Sequence, residues 1–222
     1  MKTLSLLLAV MLFGLAQIGS AQIAPYGVEK PSPAFGRMDV SPAAMLRQDM
    51  RKLWSEHVFW TRDYAAAAIA NQPDQDAAAK RLLKNQEDIG NAIAQYYGKD
   101  AGDKLTNMLK DHILIAVDLI KAAKAHDNSK FQEADRKWDR NAEDIADFLS
   151  RANPFWSKAA VMDLMKMHLA TTKEEVKARV TRNWEADVRA FDAVYDHILR
   201  MADTLSDGII RQFPERFLVA AD

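Results

Sequence analysis

Apolar residues recur along this chain at intervals of three and four, and no stretch shows the two-residue alternation of a half-buried strand. The stripe Leu46, Met50, Leu53, His57, Trp60, Tyr64, Ala68 predicts a helix with Ser41 as N-cap and Pro42 as first residue, ending before Pro73. A second runs from Asp74 to Tyr97 on Leu82, Asn85, Ile89, Ile93 and Tyr96, and Gly98 stops it. Asp100 and Asp103 offer caps for a third, whose stripe is Leu105, Leu109, His112, Ala116, Leu119 and Ala123. After the turn Asp127-Asn128-Ser129, a Ser129/Gln132 capping box starts a fourth helix. It packs Trp138, Asn141, Ile145 and Phe148 inward and breaks at Asn153-Pro154. Ser157 caps a fifth, with Val161, Leu164 or Met165, His168, Thr172 and Glu175 on one side. No Pro or Gly lies between Val176 and Asp207, so the division into a fifth and a sixth helix comes from internal repetition, which puts a turn near Asn183 to Ala186. The last helix runs to about Ile210 and ends at Gln212-Phe213-Pro214.

That repetition has a period of about 56 residues: Asn85-Gln86-Glu87-Asp88-Ile89 falls on Asn141-Ala142-Glu143-Asp144-Ile145, and His112 falls on His168. One step upstream His57 precedes His112 by 55, and one step downstream Asn141 meets His197. The fold class is therefore all-α, a six-helix bundle of three repeated antiparallel hairpins over residues 41–222.

The repeat also brings polar residues together. The predicted turns lie about fifteen residues after His57, His112 and His168, and Asn85, Asn141 and His197 lie a similar distance beyond them. At about 1.5 Å per residue the partners return to one height. His57 with Asn85, His112 with Asn141, and His168 with His197 should form one polar layer. Asp88 and Asp144 stand one turn beyond their Asn, at the edge of that face, and Thr61 and Thr172 stand four residues beyond their His. The simpler expectation is a self-satisfied hydrogen-bond layer that fixes helix register. The sharper one is a transition-metal site (Zn, Cu or Fe) on the four His with Asp88 or Asp144. Asn stands where a bundle di-iron site places Glu, which argues against a ferritin-like oxidase. Met162, Met165 and Met167 beside His168 suit Cu(I), although core packing explains Met162 and Met165 as well. The Trp residues read as packing, and Arg62, Asp63, Glu143 and Asp144 as solvated charges.

Composition narrows the address and the partners. Lys2, the uncharged apolar run Leu4 to Ala16 and Gly19-Ser20-Ala21 predict a signal peptide over residues 1–21, hence a periplasmic or secreted protein. That run is too short to span a bilayer, so no integral membrane span is expected after cleavage. With no Cys the chain has neither a lipid-anchor site nor disulfides. Residues 22–40, with Pro25, Pro31 and Pro33, read as a Pro-rich arm. A formal net charge of -1 argues against nucleic acid. No Gly-rich phosphate loop, nucleophile elbow or Cys nucleophile is present.

Glu56-His57-Val58-Phe59-Trp60-Thr61-Arg62, Asn85-x-x-Asp88-Ile89-Gly90, Asn141-x-x-Asp144-Ile145-Ala146, Asn153-Pro154 and Gly208-Ile209-Ile210-Arg211-Gln212-Phe213-Pro214 together carry a resemblance. The chain resembles an uncharacterised family of bacterial exported helical-repeat proteins over roughly Leu46 to Phe217. The resemblance implies the extent of the domain and no reaction. Two function classes lead, a non-catalytic exported protein that binds a protein partner or small ligand and a metal carrier or sensor built on the His layer, and an enzyme of unknown chemistry is third.

Overall fold

The computed structural model describes residues 41–218; the predicted signal peptide and Pro-rich arm lie outside them. Six α-helices follow in order: α1 (Pro42–Ala70), α2 (Gln75–Tyr97), α3 (Lys99–Lys124), α4 (Asn128–Ala152), α5 (Lys158–Val180) and α6 (Trp184–Gln212). A single 3-10 turn, Pro214–Phe217, follows. The described residues contain no strand, and the class is all-α.

Each helix packs against its neighbours in the chain, and α1 against α6 closes the ring. The odd helices α1, α3 and α5 also touch one another. Three turns share one geometry. Asn71, His126 and Arg182 hold positive φ of 56°, 54° and 57°. At each, the next amide bonds back to Ala67, Ala122 or Ala178 at 2.8, 3.0 and 2.9 Å, the Schellman closure that satisfies orphan carbonyls. At the other end Gly98 alone joins α2 to α3, at φ 85°, a conformation that glycine adopts without a Cβ penalty.

Three helix starts differ from expectation. Neither Asp100 nor Asp103 caps α3; Gly98 precedes it with no side-chain cap. For α4 the cap is Asp127, whose Oδ1 accepts from Lys130 N at 3.0 Å. Asp127 comes first in the chain with a short acceptor, so Ser129 falls inside the helix. The last turn spans residues 181–183, earlier than the predicted Asn183 to Ala186, because Asn183 itself caps α6 through Ala186 N at 3.1 Å. Ser41 and Ser157 cap α1 and α5 through Ala44 N and Ala160 N.

Burial follows the stripes, with α1 rotated so that Trp54 and Val58 are buried while Leu53 and Trp60 sit at the margin. The core is closely filled by Trp138, Trp156, Met50, Ile89, Leu119 and their neighbours. Where α2 and α3 cross, Gly90 and Gly102 face each other, and a Cβ on Gly102 would sit 2.6 Å from the Gly90 carbonyl oxygen. One end of the bundle is tied by Tyr97: its hydroxyl accepts from Asn153 Nδ2 and donates to Gln212 Oε1, both at 2.8 Å.

Candidate functional site

Because the odd helices meet in the centre, their stripe histidines meet there too. His57, His112, His168 and His197 are all buried. His168 is the hub, with ring centroids 5.6 Å from His57, 5.9 Å from His112 and 6.4 Å from His197. His57, His112 and His168 line, with Trp54, Leu109 and Met165, a cavity of about 30 Å³. A cavity of that size holds a water molecule or two and no organic substrate.

The polar contacts assign the protons of His112 and His197. His112 Nδ1 lies 2.7 Å from Asn141 Oδ1, and Asn141 Nδ2 donates to the Met108 carbonyl at 3.1 Å. The amide oxygen accepts, so His112 carries its proton on Nδ1. His57 faces Gln86 rather than Asn85: Gln86 Nε2 lies 3.3 Å from His57 Nδ1 and donates at shorter range to the Leu82 carbonyl at 2.8 Å and Asn85 Oδ1 at 3.1 Å. His197 Nε2 donates to the Leu164 carbonyl at 2.8 Å and makes no hydrogen bond to His168. Asn85 Nδ2 donates to the Leu53 carbonyl at 3.0 Å. Asn85, Asn141 and His197 thus each reach the carbonyl four residues before a central histidine.

Burial holds these imidazoles neutral. It drives His57 down to about 3, aided by repulsion from His112. It drives His112 down to about 4 against the Asn141 bond. His168 falls well below its ordinary value through burial and the surrounding His57, His112 and His197. His197 is lowered by burial too. Several polar atoms here have no protein partner: His112 Nε2, His168 Nδ1, Gln86 Oε1, and Nε1 of Trp54 and Trp138.

The other expected site residues lie elsewhere. Asp88 turns to the surface and pairs with Lys84 at 2.6 Å, and Asp144 is exposed. A step of three residues along a helix turns about 60° off the starting face, enough to carry both aspartates out of the layer. Thr61 and Thr172 donate to the carbonyls of His57 and His168 at 2.7 and 2.8 Å, so neither reaches an imidazole. Met162 is half-buried and Met167 exposed, so the methionines do not gather around His168. Among the described residues no group of three or more His, Asp or Glu side chains is arranged to hold a metal ion.

Glu175 belongs to a second polar centre. Arg62, read from the sequence as a solvated charge, donates to Glu175 Oε1 at 2.6 Å and to both oxygens of Asp187 at 2.9 and 3.2 Å. Arg179 adds a bond to Asp187 at 2.7 Å. Two buried carboxylates are thereby matched by two guanidiniums. Burial raises the Glu175 carboxyl, and the Arg62 bond opposes that rise. Asp187 falls in phase with Val194, Ile198, Met201 and Leu205 on the apolar stripe of α6, the signal in the sequence that could have found it.

No protein family, curated protein or solved structure matches this chain.

Proposed function

We propose that this chain is an exported, non-catalytic scaffold of three tandem helical hairpins that works by binding through its outer surface. The observation that carries the reading is the closed centre: neutral imidazoles around a void of about 30 Å³, with no room for a substrate. In that setting the histidines position helices. Support for the tandem arrangement comes from the three equivalent bonds, Asn85 to Leu53, Asn141 to Met108 and His197 to Leu164. It comes also from the left-handed caps at Asn71, His126 and Arg182, spaced like the sequence repeat. Export rests on Lys2, the apolar run and Gly19-Ser20-Ala21.

A second reading, a metal carrier or sensor, is favoured by the unpartnered nitrogens His112 Nε2 and His168 Nδ1. Thermal melts with added Zn(II) or Cu(II) separate the two, because a ligand that prefers the folded state raises the melting temperature. The scaffold reading expects no metal-dependent rise that traces to the core. A rise lost in both His112→Gln and His168→Gln, yet kept in the exposed turn variant His126→Gln, would establish the metal reading instead.

A further inference from the structure

The face shared by α1 and α6 exposes large apolar side chains. Phe59 of α1 is 51% exposed, and Trp184 and Val188 of α6 are 57% and 55% exposed. Trp184, Val188, Phe191 and Tyr195 follow one another at helical spacing along α6. Exposed Phe59 forms a triad with Phe191 and Tyr195, both half-buried against the core, with centroids 5.7, 5.6 and 6.2 Å apart.

The triad is held from beneath. The Arg62 guanidinium, fixed by Glu175 and Asp187, lies 4.5 Å from the Phe191 ring centroid. Ser55 Oγ donates to Tyr195 Oη at 3.3 Å. Aromatic anchors already fixed in place lose little freedom on association, and such anchors dominate the energetics of interfaces.

Charge selects the partner. Asp63 stands one turn from Phe59, and Asp192 and Asp196 each follow a triad member directly. All three are exposed, and among the described residues none forms an ion pair. Of the nearby cations, Arg62 and Arg51 are taken by Glu175, Asp187 and Asp203, Arg189 reaches Glu185 at 3.9 Å rather than Asp192, and Arg200 makes no ion pair with Asp196 one turn away. Aromatic rings bordered by unpaired aspartates repel an anionic lipid surface and attract a cation on an apolar stem.

We propose that the α1/α6 face binds a basic amphipathic helix of a partner protein. Its apolar side chains rest on Phe59, Phe191 and Tyr195, and its Lys or Arg residues meet Asp63, Asp192 and Asp196. The proposal rests on the reading that this protein works through its surface. The probe is a synthetic amphipathic helix of Leu and Lys, titrated by calorimetry beside a Leu/Glu helix with the same apolar pattern. The Leu/Lys helix binds in a salt-dependent way. Phe59→Ser, and separately the pair Asp192→Asn with Asp196→Asn, weaken it about tenfold or more, whereas Leu114→Ser on α3 leaves it unchanged. All these positions are exposed, and circular dichroism checks that each variant stays folded. No binding, equal binding of the Leu/Glu helix, or affinity unchanged in the triad and aspartate variants overturns the proposal. Binding to phosphatidylglycerol vesicles that Phe59→Ser abolishes overturns it in favour of a membrane surface. Self-association lost in Phe59→Ser overturns it in favour of a second copy of this chain. The metal melts report on the scaffold reading independently, so failure of the peptide alone leaves that reading standing.

Discussion

His112 Nδ1 donates to Asn141 Oδ1 at 2.7 Å, and through Asn141 Nδ2 the pair is anchored to the Met108 carbonyl at 3.1 Å. One amide therefore sets the tautomer of a central imidazole and ties α4 to α3. Asn141→Leu removes the acceptor and leaves a buried N–H without a partner. It should destabilise the fold by about 1–3 kcal/mol in urea unfolding. A stability equal to wild type would show that the imidazole finds another acceptor.

Acid should weaken the protein through the same layer. The central imidazoles ionise near 6.5 in the unfolded chain, whereas folding holds His57 near 3 and His112 near 4. Between those limits the unfolded chain binds more protons, so stability falls as pH falls below about 6.5. Each imidazole contributes a slope of about 1.4 kcal/mol per pH unit. Glu175 works the other way, since its raised carboxyl takes a proton in the folded state first. His112→Gln has no proton to gain and should unfold with a shallower pH dependence than wild type. Equal slopes from pH 4.5 to 6.5 would place the titration elsewhere.

Trp138 is buried against His112, with ring centroids 5.0 Å apart. Trp138→Ala should cost about 3–5 kcal/mol, because the α4 stripe loses its largest side chain and leaves a cavity. The indole N–H has no partner, so Trp138→Phe gives up apolar contact and no hydrogen bond and should cost less. Equal losses in the two variants would point to an unseen bond at Nε1.

The helices were legible because their apolar stripes are long and because Pro42, Pro73, Gly98 and Pro154 punctuate most of them, whereas the break between α5 and α6, without Pro or Gly, was legible only through the internal repetition. The His stripe positions were legible too, since a histidine in phase with Leu and Ile points where they point. Which neighbour bonds each histidine was not: Gln86 and Asn85 are adjacent, and the choice depends on the rotation of α2 against α1. The charge cluster stayed hidden for another reason. Arg62 borders Asp63 in sequence, and local order cannot reveal that its partners lie on α5 and α6, 113 and 125 residues away.

Gly102 tests the tightest crossing. Glycine within a helix is disfavoured by about 1 kcal/mol relative to Ala, so an isolated helix would gain from Gly102→Ala. Here the added methyl meets the Gly90 carbonyl oxygen and the Ala94 Cβ, both at 2.6 Å, and α2 and α3 must separate. The net effect should be a loss of about 1–3 kcal/mol, read as a lower urea midpoint with an unchanged slope. A gain would mean that the crossing relaxes without cost.

Arg62 and Glu175 give the last test, in which burial and charge make separable contributions. Arg62→Leu leaves the Glu175 carboxylate buried without its partner, while Asp187 keeps Arg179 at 2.7 Å. Breaking a buried pair on one side costs about 3–5 kcal/mol, and the lower end applies because Arg62 is itself partly exposed. The stranded carboxyl escapes by taking a proton, since burial already raises it and Arg62 is the main influence that lowers it, with Arg179 the weaker one. A folded-state carboxyl raised above its unfolded value loses stability as pH rises, so the gap between Arg62→Leu and wild type should be wider at pH 7 than at pH 5. Adding Glu175→Leu removes the stranded charge, and the double variant should recover part of the loss and its pH dependence. Urea unfolding of wild type, both single variants and the double variant at the two pH values measures the coupling. Additive losses, or a gap that does not widen with pH, would show that Glu175 does not depend on Arg62 for its charge.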